Sequence, residues 1–300
     1  MHLTHNKYVR QFLIDHFRHV IVGSLFRYTF GRDINWKNPK DINEKIQWLI
    51  RYSDISMWSK CSDKYRVREF VEQRGLGHLL VKLLGVWENA EDIDFDSLPD
   101  KFVLKCNHDS GSCHIIDKSG TNDFHSVIED INRRLKTKYG YVHCETWYNN
   151  IKPLVIAEEF LEQADDNSWS TSLIDYKIWC FDGKPYSIWT CYSRSSECTY
   201  VNTYDLDWQV HPEVSVFTDH YRDGEGLVPK PKNLDEMLSA AAILSKGFPE
   251  VRVDFYIVGD KLYFGELTFA SLCGLMDFFT PEYLDELGEQ IVLPRKKRRF

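Results

Sequence analysis

Apolar and polar residues alternate most regularly near the C-terminus, where Val251 to Val258 and Lys261 to Thr268 flank Gly259-Asp260. A period of two on both sides of a turn-forming pair predicts a β-hairpin. Val251, Val253, Phe255 and Ile257 then share a core face, and Arg252 and Asp254 point the other way. Where Glu266 and Thr268 point depends on the loop. A two-residue loop sets Asp254 opposite Gly265 and turns Glu266 into the core. A three-residue loop, Gly259 to Lys261, sets Asp254 opposite Glu266 and Arg252 opposite Thr268. A buried, unpaired glutamate is costly, so the longer loop or a bulge of equal effect is expected. Two carboxylates facing each other across strands repel unless a cation lies between them. The alternative is a solvated face with ordinary surface charges.

A helical period marks other stretches. Tyr8 to Val22 places Val9, Phe12, Leu13, Phe17, Val20 and Ile21 on one stripe, which is expected to pack into the core. Pro39-Lys40-Asp41 opens a second helix with Asp41 and Glu44 in capping-box spacing and Ile42, Ile46, Leu49 and Ile50 buried. Ser62 reads as the cap of a third helix running to Gly75 and Gly77. Lys64 then sits in its first turn, where the dipole disfavours a cation unless an anion is near; pairing with Glu69 or Asp63 is the ordinary alternative.

Strands at Phe102–Lys105 and His114–Ile116 enclose Cys106 to Ser112, and Ser110-Gly111-Ser112 can offer N–H groups and hydroxyls to an anion. No Gly-Lys-Ser/Thr follows, so this is not a Walker loop, and a plain hairpin tip is the default. A helix from Asp123 to Tyr139 stops at Gly140, and Leu154 to Glu162 is an apolar strand ending in acids. Asp182-Gly183 joins Ile174–Phe181 to Pro185–Cys191, with Asp175 and Lys177 on one face and Arg194 just beyond. Asn233 to Glu236 opens a helix that ends at Gly247.

With 43% hydrophobic and 14% aromatic residues in 300, the chain can bury a substantial core. No apolar run reaches membrane-spanning length, and no secretory signal is legible. The eight cysteines form no CxxC pair, which points to reduced thiols in a cytoplasmic protein. Cys106, Cys113 and His114 lack a partner motif for a metal. Arg295, Lys296, Lys297, Arg298 and Arg299 contribute +5, so the net charge of −8 leaves −13 on the rest. Such an acidic body argues against nucleic acid as a partner. The basic tail offers a contact with an anionic membrane surface, or is a solvated end.

The order of these features carries more than any one of them. A lysine opens a helix, a second lysine ends a strand before a small polar loop, and a strand ends in acids. Lys177 and finally Arg252-x-Asp254 with Glu266-x-Thr268 follow. In this order the chain resembles the ATP-grasp superfamily. Asn38-Pro39 to Leu49, Leu104 to His108 with Ser110-Gly111-Ser112, Asp175-Tyr176-Lys177 and Phe264 to Phe269 resemble its TupA-like branch, associated with bacterial surface-polysaccharide and teichuronopeptide synthesis.

The resemblance implies an α+β protein with two lobes clamping ATP. The expected parts are a mostly helical region over 1–95, a small lobe over 96–165, a sheet lobe over 166–294 and the basic tail 295–300. Lys64 and Lys105 would contact phosphates, Asp109, Ser110, Gly111 and Ser112 would fold over them, and Glu159, Phe160, Leu161 and Glu162 would hold adenosine. Asp254, Glu266 and Thr268 would bind Mg2+, with Mn2+ as an alternative; Thr268 stands where members often carry Asn. Arg252 would face the reacting group, with Lys177 and Arg194 as the further catalytic cations. The implied activity is a carboxylate–amine ligase working through an acyl phosphate on a uronic-acid carboxylate and an amine donor. Competing readings are a glycosyltransferase using Asp205 and Asp207, an ATP-grasp kinase, and a non-catalytic nucleotide-binding scaffold.

Overall fold

The computed structural model describes residues 6–120, 123–162 and 170–297. Arg298 and Arg299 of the basic tail, and the polar stretch expected at Asp165 to Ser172 as far as residue 169, lie outside the described residues. The helices are α1 (Lys7–Phe30), α2 (Ile42–Tyr52), α3 (Ser56–Ser62), α4 (Val67–Gln73), α5 (Phe124–Leu135), α6 (Leu234–Ser245) and α7 (Pro281–Glu289). The strands are β1 (Leu83–Trp87), β2 (Lys101–Cys106), β3 (His114–Asp117), β4 (Val155–Glu159), β5 (Asp175–Phe181), β6 (Lys184–Tyr192), β7 (Thr199–Tyr204), β8 (Tyr221–Asp223), β9 (Val251–Val258) and β10 (Lys261–Thr268). They fall into two compact units, one of residues 1–55 with 163–300 and one of 56–162.

The first unit is built on a six-stranded sheet in the order β10-β9-β5-β6-β7-β8. Only the β7–β8 pair is parallel. Helix α6 lies against β5, β6 and β9. The β5–β6 turn holds Asp182 at φ +46° and Gly183 at φ +82°, the left-handed pair that a tight hairpin requires. In the β9–β10 hairpin, Val258 pairs with Lys261, so the loop has only two residues. The register then shifts between Phe264 and Glu266, which sets Glu266 opposite Asp254 and Thr268 opposite Arg252. The expected pairing is therefore reached through a bulge rather than a longer loop. Gly265 suits the bulge because a Cβ there would lie 3.0 Å from both the Asp254 carbonyl oxygen and the Tyr256 ring.

Helix α2 starts as its sequence predicts, with the Asp41 carboxylate accepting from Glu44 N–H. Glu44 does not complete a capping box; it accepts from the N–H groups of Asn35 and Lys40. Three further polar side chains of α2 hold distant main chain. Asn43 exchanges two 2.9 Å hydrogen bonds with Met276. The Lys45 ammonium donates to the carbonyls of Gly288 and Ile291, and Gln47 donates to that of Cys273.

Helix α1 departs from expectation. Its buried residues are Ile14, Ile21, Val22 and Phe26, whereas Val9, Phe12, Phe17 and Val20 of the predicted core stripe are exposed. A backbone break at Phe17, φ −127° and ψ 21°, rotates one half of the helix relative to the other, so a single stripe does not describe it.

The second unit has a four-stranded antiparallel sheet in the order β1-β4-β2-β3. Phe102, Leu104, Cys106, Val155 and Ala157 join Ile131 of α5 in its core. Alternation sends Lys105 and Glu158 to the other face. The helix expected from Ser62 to Gly75 is interrupted at 63–66, because the Asp63 carboxylate accepts from the N–H groups of Tyr65 and Arg66 and from the Asn107 amide. Lys64 therefore sits in a turn between α3 and α4, not in a helical first turn. Helix α5 ends at Leu135, four residues short of the predicted Tyr139.

Candidate functional site

On the sheet of the first unit, Lys177 pairs with Asp254 and Trp179 with Arg252 across β5 and β9. This register puts two cations beside the opposed acids. The Arg252 guanidinium grips Asp254 with both arms, Nε to Oδ1 and Nη2 to Oδ2, each at 2.7 Å. Its Nη1 donates to Ser271 Oγ at 2.7 Å, and Nη2 also reaches Thr268 Oγ1 at 3.1 Å and Glu266 Oε1 at 3.4 Å. Lys177 Nζ donates to Asp254 Oδ2 at 2.6 Å and lies 3.5 Å from Asp175, whose other oxygen accepts from Arg194 at 2.6 Å. The cation demanded by the facing carboxylates is thus supplied by the chain itself. The solvated-face alternative fails: Asp254 is 1% exposed, and Lys177 and Arg252 are 8% exposed.

Electrostatics follow from this packing. Burial pushes the Asp254 carboxyl up, but Arg252 and Lys177 outweigh it and hold the group below the usual carboxylate range. Burial pulls Lys177 down, yet Asp175 and Asp254 raise it overall. Asp175 and burial raise the Tyr256 hydroxyl well above its ordinary value. Asp175, Asp254 and Glu266 balance Lys177, Arg194 and Arg252, so the six charges cancel. Ser271 and Tyr256 carried no sequence signal, since a serine after a strand and a strand tyrosine are commonplace. Glu250, just before β9, is fully buried with no partner on either carboxylate oxygen, and burial raises its pKa well above the carboxylate norm.

As a metal site this set offers two carboxylates and a hydroxyl, hard oxygen donors of the type Mg2+ takes. No group of three His, Cys, Asp or Glu occurs among the described residues, so other ligands must complete any coordination. Both Asp254 oxygens are engaged by Arg252, so an ion there exchanges places with the guanidinium.

A second cluster lies in the other unit. Lys105 Nζ donates to Glu158 Oε2 at 2.7 Å, and Arg68 lies 3.4 Å from Oε1. Glu158, not the exposed Glu159, is the acid nearest Lys105. Phe160 and Leu161 are half-buried, and Glu162 is exposed 3.6 Å from Lys101. Lys64 Nζ donates to the Asp109 carbonyl. In the loop, Asp109 and Ser112 are buried and bonded to each other, and Arg134 holds Asp109 at 3.0 Å. Ser110 and Gly111, at φ +80°, form the exposed tip. Arg134 also binds Asp130, whose carboxyl is pushed up by burial but held down to about 2 by Arg134, Arg133 and His114. Asp205 Oδ1 accepts from Asp207 and Gln209 N–H, so that pair shapes a turn after β7.

The family model described as TupA-like ATPgrasp matches residues 44–292. Similar solved structures include the D-alanine–D-alanine ligase of Bacillus anthracis complexed with ATP, at 16% identity, 80% of this chain, 67% of that one and a TM-score of 0.48. Another is the D-alanine–D-alanine ligase of Helicobacter pylori, at 12% identity, 86% and 68% coverage and 0.45. A third is the ATP-grasp ligase PsnB with its precursor peptide PsnA2 and AMPPNP, at 12%, 93% and 72%, and 0.41. None of the curated proteins matches.

Proposed function

We propose that this chain, which belongs to the TupA-like ATP-grasp family and has its α+β fold, is an ATP-dependent carboxylate–amine ligase. The observation that carries this reading is the charge-balanced set of buried Lys177, Arg252 and Asp254 with exposed Glu266 at its edge, on three adjacent strands. A free carboxylate resists nucleophiles because its charge is delocalised. Transfer of the γ-phosphoryl group to it releases ADP and gives an acyl phosphate. An amine then attacks the carbonyl carbon, the C–O bond to phosphate breaks, and the amine loses a proton. Mg2+ held by Asp254, Glu266 and Thr268 would neutralise phosphate charge during the transfer.

The chain's own residues supply positioning and charge. Arg252, freed from one arm of Asp254, presents N–H donors to the reacting oxygens, and Lys177 and Arg194 balance charge around it. Lys64 and Lys105 serve the phosphates, the Ser110-Gly111 tip covers them with Asp109 and Ser112 as its anchors, and Glu159 to Glu162 line adenosine. The carboxylate is assigned to a uronic acid of a bacterial surface or capsular polysaccharide, on the strength of the family resemblance alone. The test uses purified protein with ATP, Mg2+ and candidate carboxylate–amine pairs, the carboxylate carrying 18O. Release of ADP with 18O-labelled phosphate is expected. Unlabelled phosphate, or a phosphorylated hydroxyl as the product, overturns the ligase reading.

A further inference from the structure

The loop 270–276 follows β10 in the first unit and holds three consecutive residues in the left-handed region. Leu272 stands at φ +47°, Cys273 at +57° and Gly274 at +66°. Glycine adopts this conformation freely. For leucine and cysteine it is unfavourable, and such residues persist only where their surroundings over-determine them. Burial of Leu272 does not offset the strain, because the residue is 52% exposed.

Helix α2 holds the loop instead. The Gln47 amide donates to the Cys273 carbonyl, and Arg18 of α1 fixes that amide by donating from Nη1 to Gln47 Oε1 at 3.2 Å. Asn43, one helical turn earlier, accepts from Met276 N–H and donates to its carbonyl. Gly274 lies against the helix between these ties: a Cβ there would stand 2.8 Å from Gln47 Nε2 and 2.9 Å from Ile46 Cγ2. Gln47 is fully buried and Asn43 nearly so, which keeps water from competing for their partners.

At the front of the loop Ser271 is buried, and its Oγ accepts from Arg252 Nη1 at 2.7 Å. Among the described residues it is the one acceptor for Nη1, whereas Nη2 is shared between Asp254, Glu266 and Thr268. On the ligase reading, on which this inference rests, Arg252 gives up one arm of Asp254. Ser271 is then the contact that keeps the guanidinium aimed, and the place of its hydroxyl is set by backbone that α2 holds.

We infer that Ser271 is a positioning residue for Arg252, and that Gln47 acts on Arg252 through the left-handed loop, although its amide bonds to Cys273 and Arg18 rather than to either. The test reads the full chain, labelled with 15N-arginine, by NMR; the Arg252 side-chain signals are those lost in Arg252→Met. Loss of a hydrogen bond should speed solvent exchange of the Arg252 Nη1 protons about tenfold in Ser271→Ala, and in Gln47→Met as well. Arg18→Met, which frees the Gln47 amide to turn, takes the place of Gln47→Met if that variant does not fold. Unchanged exchange in Ser271→Ala or in the α2-side variant overturns the proposal. With a carboxylate–amine pair that the unaltered chain turns over, Ser271→Ala should lower kcat about ten- to a hundredfold and leave KM for ATP as it was. A raised KM for ATP with kcat kept overturns the proposal too. An unaltered chain that turns over no pair counts against the ligase reading alone, since the exchange rates need no turnover.

Discussion

Arg252→Met removes the guanidinium while keeping most of the apolar stem. Asp254, 1% exposed, then retains Lys177 as its only side-chain counter-ion and still faces Glu266 across the hairpin. Of six charges that cancelled, five remain with a net of −1. Breaking a buried pair by removing one partner costs about 3–5 kcal/mol, because the survivor stays desolvated. Adding Asp254→Asn restores neutrality and leaves Lys177 to Asp175, 3.5 Å away. The double variant should therefore lose about 2 kcal/mol less than the two single losses combined. Urea unfolding followed by circular dichroism and tryptophan fluorescence reads the loss; Trp179, 5.8 Å from the guanidinium on the neighbouring strand, is one of nine tryptophans that contribute to the signal. Equal m-values in all four proteins license the comparison. A single-variant loss below about 1 kcal/mol, or losses that add within about 0.5 kcal/mol, refutes Arg252 as the internal counter-ion.

Glu250 binds a proton in the folded chain that the unfolded chain releases above its ordinary pKa, so it withdraws stability as pH rises from that value through its raised folded pKa. Glu250→Gln should raise the melting temperature at pH 8 and change it little at pH 5; equal shifts at both pH values contradict the assignment. Asn43→Ala strands the N–H and carbonyl of Met276 and should cost about 2–4 kcal/mol in urea unfolding. Gly265→Ala places a methyl 3.0 Å from a carbonyl oxygen of the facing strand. It should cost about 1–3 kcal/mol and, by disturbing the Asp254–Glu266 pairing, weaken Mg2+-ATP binding measured by calorimetry more than metal-free ATP binding.

The hairpin was legible because two local rules agreed: a period of two, and the cost of burying Glu266. The bulge at Gly265 satisfied both. The source of positive charge was not legible, because it comes from β5, and no local pattern says that Lys177 will stand opposite Asp254, 77 residues away. Helix α1 misled for a different reason. Its period reveals apolar stripes but does not choose between them, and the stripe ending in Phe26 is the one that packs. The break after Ser62 depends on Asn107, 44 residues away, donating to Asp63. Glu158 lies just before the exposed acids at the strand end, and alternation from Ile156 puts it on the face of Lys105.

The amide of Asn43 meets Met276 across 233 residues of chain, and Lys45 meets Ile291 across 246. During synthesis at about 5–20 residues per second, α2 therefore waits roughly ten to fifty seconds for the main chain it is shaped to hold. The interval spans the whole of 56–162, so the unit begun first is the one finished last. The nascent chain carries α2 and the packing face of α1 bare through that delay, a window in which a chaperone finds its most exposed apolar surface.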